Sequence, residues 1–153
     1  MLRAARGFDG VVLSGGLGPD AVRWSRAHLG DAGPTPRPEV VAIVLLARPA
    51  GERPPVDVLR DFVVAALGAP HHRAVAAATA PDLAPALAAL AAGDRASARQ
   101  AVSDTIARGH GLVSDEDTEP GLAPWRAAGV DLPVLWPLGD HDGWRWLAKF
   151  TET

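Results

Sequence analysis

Residues 14–18 (SGGLG) place three glycines between a short β-branched run and a helical pattern that begins at Pro19. A glycine turn that leads from a strand into a helix can direct free backbone N–H groups at an anion. The residues that would form such an anion site are Gly15, Gly16 and Gly18. No Lys-Ser or Lys-Thr pair follows them, which excludes a phosphate-binding loop. We interpret the segment first as a tight turn, with anion binding as the functional alternative.

Two short segments around this turn are similar to known families. DGVVLSGG, residues 9–16, resembles the oxyanion-loop segment of class I glutamine amidotransferases. GGLGP, residues 15–19, resembles the glycine turn of molybdopterin-binding domains of the competence-protein type. The first resemblance implies a cysteine nucleophile, and the chain contains no cysteine. The second implies acidic residues soon after the turn, and only Asp20 is present there.

Serine chemistry receives little support from the spacing of residues. None of the five serines lies in a G-x-S-x-G elbow. Ser14 could still act with a distant histidine and aspartate, because triads are assembled by geometry rather than by chain order. The absence of cysteine excludes a thiolate nucleophile and a zinc site built on sulfur. We therefore assign no catalytic residue from the sequence.

Histidines and carboxylates suggest a second kind of site. His110 precedes an acidic run at residues 115–119, and His141 lies next to Asp142. Imidazole and carboxylate ligands could hold a divalent metal if the two loops met in space. The acidic run lacks the glycine and the glutamate that a calcium loop requires at its sixth and twelfth positions. A solvated acidic loop and an ordinary turn explain these residues more simply, and we expect no cofactor.

Tryptophan supplies most of the aromatic surface, because the chain has five tryptophans, three phenylalanines and no tyrosine. Trp136, Trp144 and Trp146 lie within eleven positions near the carboxyl end. They could form a protein-binding face beside the acidic residues Asp115 and Asp117, which would favour a basic partner. Packing of these tryptophans over the core is the simpler interpretation.

The sequence pattern predicts that an α+β fold positions these residues, with a mainly α-helical chain as the alternative. Apolar alternation and β-branching favour a small mixed sheet. Its strands are expected near residues 9–14, 39–47, 132–138 and 144–150, the last two paired as an antiparallel hairpin.

Alanine-rich helices are expected to cover this sheet. The clearest helical pattern covers residues 58–67, and three further helices are expected between 71 and 108. Thr79 and Asp94 are predicted to cap two of them.

The bulk composition indicates one globular domain covering residues 1–153. With a net charge of −3, a single lysine and no basic cluster, the chain is a poor nucleic-acid binder. No apolar run approaches the length of a membrane span, no secretory signal is recognisable, and cysteine is absent, so we expect a cytoplasmic protein.

The function expected from these observations is non-catalytic. We expect an intracellular binding or regulatory protein that is an accessory or neutralising partner of another protein, with homodimer formation also open. The alternative is a small enzyme or ligand-binding protein that uses the glycine turn or the histidine and aspartate residues.

Overall fold

A small sheet and seven α-helices make up the described part of the chain, which confirms the α+β class. The computed structural model describes residues 8–15, 17–29, 38–113 and 118–139. No helix in these ranges is both long enough and apolar enough to cross a membrane. The strands are β1 (Gly10–Leu13), β2 (Glu39–Ala47), β3 (Leu112–Val113) and β4 (Leu132–Leu138). The helices are α1 (Pro19–Leu29), α2 (Pro55–Ala66), α3 (Pro70–Thr79), α4 (Ala84–Ala91), α5 (Arg95–Ala101), α6 (Asp104–Arg108) and α7 (Thr118–Ala127).

Strand β2 is the centre of the sheet, and each of the other three strands pairs with it in parallel. β4 pairs along one edge from Val41 to Ala47. β1 and β3 therefore share the other edge, since a strand has only two. The predicted strands at 9–14, 39–47 and 132–138 are present within a residue or two. The antiparallel partner predicted for β4, residues 144–150, lies outside the described residues.

The central position of β2 follows from its composition. Six of its nine residues are β-branched or leucine, and alternate side chains of a strand point to opposite faces of the sheet. One buried cluster contains the even-numbered residues Val40, Ala42, Val44 and Leu46. The other contains the odd-numbered residues Leu45 and Ala47. A strand that is buried on both faces needs this continuous apolar run.

Helices cover the two faces of the sheet unequally. On the first face, Val22 and Leu29 of α1 and Trp125 of α7 pack against β2. On the second face, α2 supplies Leu59 and Val63, and the later helices supply small alanines that allow close packing. The second face is only partly covered. Its residues Val12, Val134 and Trp136 are 65%, 41% and 54% exposed, respectively.

Of the two predicted helix caps, the structure contains the one at Asp94 and not the one at Thr79. The Asp94 carboxylate accepts a hydrogen bond from the Ser97 N–H at 2.9 Å and caps α5. Thr79 does not cap the helix that follows it. It is the last residue of α3, and its hydroxyl donates to the Val75 carbonyl at 2.9 Å. A hydroxyl can bond to the carbonyl four residues earlier as readily as it can cap, so the sequence pattern does not decide between them.

One polar cluster holds α1 against the strands. The Arg26 guanidinium donates to the Gly129 carbonyl at 2.9 Å, to the Pro38 carbonyl at 3.3 Å and to the Asp131 carboxylate at 3.0 Å. The same carboxylate accepts from the Val40 N–H at 2.8 Å. Arg26 and Asp131 thereby connect α1 to the beginnings of β2 and β4.

Candidate functional site

A cleft of about 530 Å³ opens beside β1, between α1 and α3. Most of its lining is apolar, with Val11 and Leu13 from β1, Val22 from α1 and Val75 from α3 among the contributors. Ligand sites in sheets of parallel strands lie beyond the carboxyl ends of those strands. The cleft extends to that end of β1, which makes it the leading candidate site.

The chain brings a serine and a histidine together at this cleft. Ser14 is the residue that follows β1, and His72 lies in the first turn of α3. The Ser14 Oγ and the His72 Nε2 are 2.9 Å apart, a hydrogen-bond distance. Ser14 is exposed and His72 is half-buried. Both side chains line the cleft.

Burial lowers the pKa of His72 below its ordinary value of 6.5, because the charged imidazolium loses its water. Repulsion from His71 lowers the pKa further, and the backbone of Ala66 acts in the opposite direction by a smaller amount. The His72 Nδ1 is buried and makes no hydrogen bond of good geometry in the described part of the chain. At neutral pH the imidazole is therefore uncharged.

The walls of the cleft also carry aromatic rings. Trp24 and His28 are one helical turn apart on α1, and their ring centroids are 3.9 Å apart. The His28 Nδ1 lies 2.8 Å from the Trp24 carbonyl oxygen, which fixes the orientation of the imidazole. Trp125 of α7 also lines the cleft. Such rings offer flat apolar surface to a ligand.

Close packing accounts for two glycines of the predicted anion turn. A Cβ on Gly15 would lie 2.9 Å from the Leu45 side chain, and a Cβ on Gly18 would lie 2.6 Å from the Gly109 carbonyl oxygen. The Gly18 carbonyl accepts a hydrogen bond from the Ala21 N–H at 3.0 Å. Gly16 lies outside the described residues. Anion binding at this turn stays a prediction.

Only one of the three predicted metal ligands is described. His110 is buried and lines a second cavity of about 300 Å³ together with Asp20 and Asp82. His141 and Asp142 lie outside the described residues. Within residues 8–15, 17–29, 38–113 and 118–139, no group of three or more histidine, aspartate or glutamate side chains could hold a metal ion. The metal site stays a prediction.

The predicted protein-binding face is described only at Trp136. This side chain projects from β4 and is more than half exposed, so it does not pack in the core. Trp144, Trp146, Asp115 and Asp117 lie outside the described residues. Whether these residues bind another protein stays a prediction.

Sequence reasoning considered Ser14 but did not identify its partner. His71 and His72 are neighbours that diverge by about 100° on a helix, which argues against a shared metal. In the structure the two rings do not diverge: their centroids are 4.3 Å apart and both line the cleft, and only His72 bonds to Ser14. A serine directly after a strand is a usable signal, because the carboxyl ends of strands are where parallel sheets present site residues.

Parallel strands joined by helices, with a cleft at a strand's carboxyl end, define an architecture that enzymes commonly use. No family model matches the chain, and no curated protein matches it either. Among solved structures, the chain is similar to the coenzyme F420 dependent tetrahydromethanopterin reductase from Methanopyrus kandleri, with a TM-score of 0.57 and 17% identity. The match covers 90% of this chain and 42% of the reductase chain. It shows a likeness of fold.

This likeness corrects the expected function. A non-catalytic binding or regulatory protein was expected from the absence of recognisable catalytic motifs, and that expectation is wrong. The chain is similar in fold to part of a reductase, and a cleft with convergent polar groups lies at the end of β1. Short motifs could not reveal this site, because Ser14 and His72 are 58 positions apart.

Proposed function

We propose that the protein is a small enzyme that binds an uncharged, largely apolar organic ligand in the cleft beside β1. The observation that carries this proposal is the cleft itself. Its volume of about 530 Å³ is within the range of about 300–1,000 Å³ that is usual for small-molecule sites. A mostly apolar lining with a few convergent polar groups is the usual composition of such sites.

The charges around the cleft favour an uncharged ligand. Among the described residues that line it there is no aspartate, glutamate, lysine or arginine. A charged ligand would lose its water there without gaining an oppositely charged partner. The polar side-chain groups in the described lining include the hydroxyls of Ser14 and Ser25 and three imidazoles, which suit hydrogen bonding to a carbonyl, ether or amide.

The structural likeness supports an enzyme and suggests one ligand to test. The similar protein is by its name dependent on coenzyme F420, and this chain spans 42% of its length. Trp24 and Trp125 could accommodate the uncharged flat ring of such a coenzyme, with its charged groups left in solvent outside the cleft. The reductase activity as a whole does not transfer, because more than half of that chain has no counterpart here.

A variant that fills the cleft tests this proposal against a matched control on the same helix. Val75→Phe places a larger side chain in the lining, whereas Ala77→Phe places it on an exposed position of α3 outside the lining. Benzamide, butyramide and coenzyme F420 serve as probes, followed by thermal stability and tryptophan fluorescence. A probe at 100 times its Kd should stabilise the wild type by about 2.7 kcal/mol.

The Ala77→Phe protein should retain this stabilisation and the Val75→Phe protein should lose it. Circular dichroism checks that both variants are folded. If the wild type responds to none of the probes, or if the two variants respond equally, the cleft is not the binding site.

A further inference from the structure

We infer that Ser14 and His72 form a nucleophile and base pair that cleaves carboxylic esters with a short, uncharged acyl group. This inference rests on the proposed function, since the cleft must bind the acyl group. It adds the reaction type, the bond that is broken and the role of each residue.

The geometry of the pair meets the requirement for an activated nucleophile. The Oγ to Nε2 distance of 2.9 Å is within the range of about 2.6–3.2 Å over which a base can take the hydroxyl proton. Ser14 is exposed to the cleft, so an ester carbonyl can reach its Oγ. His72 lies in the first turn of α3, and its Nε2 is directed at the Ser14 Oγ.

The protonation state of His72 suits a base. Burial and the neighbouring His71 keep its pKa below 6.5, so the ring is neutral at pH 7 and can accept a proton. The other titratable groups in the described lining of the cleft are His28 and His71. Neither is a carboxylate, so neither would hold His72 in the charged form.

The reaction then has two balanced steps. In the first, the Ser14 Oγ bonds to the ester carbonyl carbon as its proton passes to the His72 Nε2. The bond to the alcohol oxygen breaks, and the alcohol leaves with the proton from His72. In the second, His72 takes a proton from water as the water oxygen attacks the acyl carbon. The bond between the acyl carbon and the Ser14 Oγ breaks, the acid is released, and the proton passes from the His72 Nε2 to the Ser14 Oγ.

The pair lacks a described carboxylate partner at the His72 Nδ1, and this determines the expected kinetics. In serine proteases, loss of the orienting carboxylate lowers kcat by about 10⁴-fold. We therefore expect slow turnover. The acylated serine should accumulate with an activated ester, because its leaving group departs without a proton from His72 whereas deacylation still needs His72 as the base. With p-nitrophenyl butyrate, one equivalent of p-nitrophenol should appear in a burst that precedes slow steady release.

Covalent labelling of the full chain tests the assignment directly. An alkyl fluorophosphonate should form an Oγ–P bond at Ser14 with loss of fluoride, and intact mass followed by peptide mapping locates the adduct. Ser14→Ala should abolish labelling, whereas Ser97→Ala, on α5 outside the cleft, should label at the wild-type rate. His72→Gln should slow labelling by about 100-fold or more.

A cysteine variant provides a second measurement that does not depend on ester cleavage. Since the chain has no cysteine, Ser14→Cys introduces a single thiol. Iodoacetamide should alkylate it at lower pH than it alkylates the Ser14→Cys/His72→Gln double variant, because His72 can take the thiol proton. Thermal unfolding shows whether each variant is folded.

The outcomes separate this inference from the proposed function. Labelling at another residue, labelling that persists in Ser14→Ala, or equal alkylation of the two cysteine variants overturns the assignment. If Ser14→Ala still binds benzamide while the wild type neither labels nor shows a burst, the cleft binds ligands and the ester chemistry is wrong. If benzamide does not bind the wild type, the proposed function fails as well.

Discussion

Replacing Asp131 with alanine should destabilise the protein more than its half-exposed position suggests. Its carboxylate accepts hydrogen bonds from the Val40 N–H at 2.8 Å and from Arg26 at 3.0 Å. Val40 is fully buried within β2, whereas the Asp131 side chain is 34% exposed. The substitution therefore leaves a strand N–H without its acceptor and removes a partner of Arg26.

The expected cost follows from these two losses. An unsatisfied buried donor costs about 1–3 kcal/mol, and a partly exposed ion pair contributes up to about 1 kcal/mol. We expect Asp131→Ala to lower the free energy of unfolding by about 2–3 kcal/mol. For a chain of this length the melting temperature should fall by about 5–10 °C. Asp131→Asn keeps an oxygen acceptor for Val40 and should cost only about 1 kcal/mol.

Urea denaturation of the wild type and the variants measures these differences. Asp20→Ala is the control, because it breaks an ion pair between Asp20 and Arg23, both on α1. Both of these side chains are more than half exposed. The control should lose less than about 1 kcal/mol. If Asp131→Ala loses no more than Asp20→Ala, the carboxylate does not hold α1 to the strands.

Three further outcomes are expected. The folded protein holds the pKa of His72 below 6.5 and the unfolded chain does not, so the free energy of unfolding should fall as pH drops below about 6.5. His72→Gln should weaken this dependence, which urea titrations at pH 5–7.5 would measure. A steeper dependence in the variant would contradict the cause given for the shift. Gly18→Ala should cost about 1–3 kcal/mol in thermal unfolding, since its Cβ would meet the Gly109 carbonyl at 2.6 Å, and a neutral result would refute that contact. Trp136→Phe should remove a fluorescence component that acrylamide quenches, because Trp136 is half exposed while Trp125 is buried. Unchanged quenching would show that Trp136 is covered.

Local patterns predict those parts of the fold that depend on local chemistry. The β-branched run of β2 indicates a central strand because both of its faces must be apolar, and α2 follows the helical spacing of Leu59 and Val63. The cap at Asp94 is local in the same sense, because its acceptor and donor are three positions apart. In each of these cases the partners of a residue lie within a few positions of it.

The pairing of strands and the candidate site depend on distant partners. Alternation identifies β4 as a strand but does not say that β2 is its neighbour, or that the pairing is parallel. Ser14 meets His72 only because α3 packs against α1. The exposure of Trp136 likewise depends on which part of the second face the helices cover, and no spacing in the sequence specifies that.

The position of β2 has a consequence for synthesis on the ribosome. β1 can pair with β2 soon after both emerge, but the residues that secure the other edge arrive late, since Val40 and Asp131 are 91 positions apart. Until β4 is made, that edge presents unpaired backbone groups on a strongly apolar strand, which another nascent chain could occupy. Slower translation before residue 131 should therefore lower the yield of native protein, and a chaperone that shields this edge should restore it.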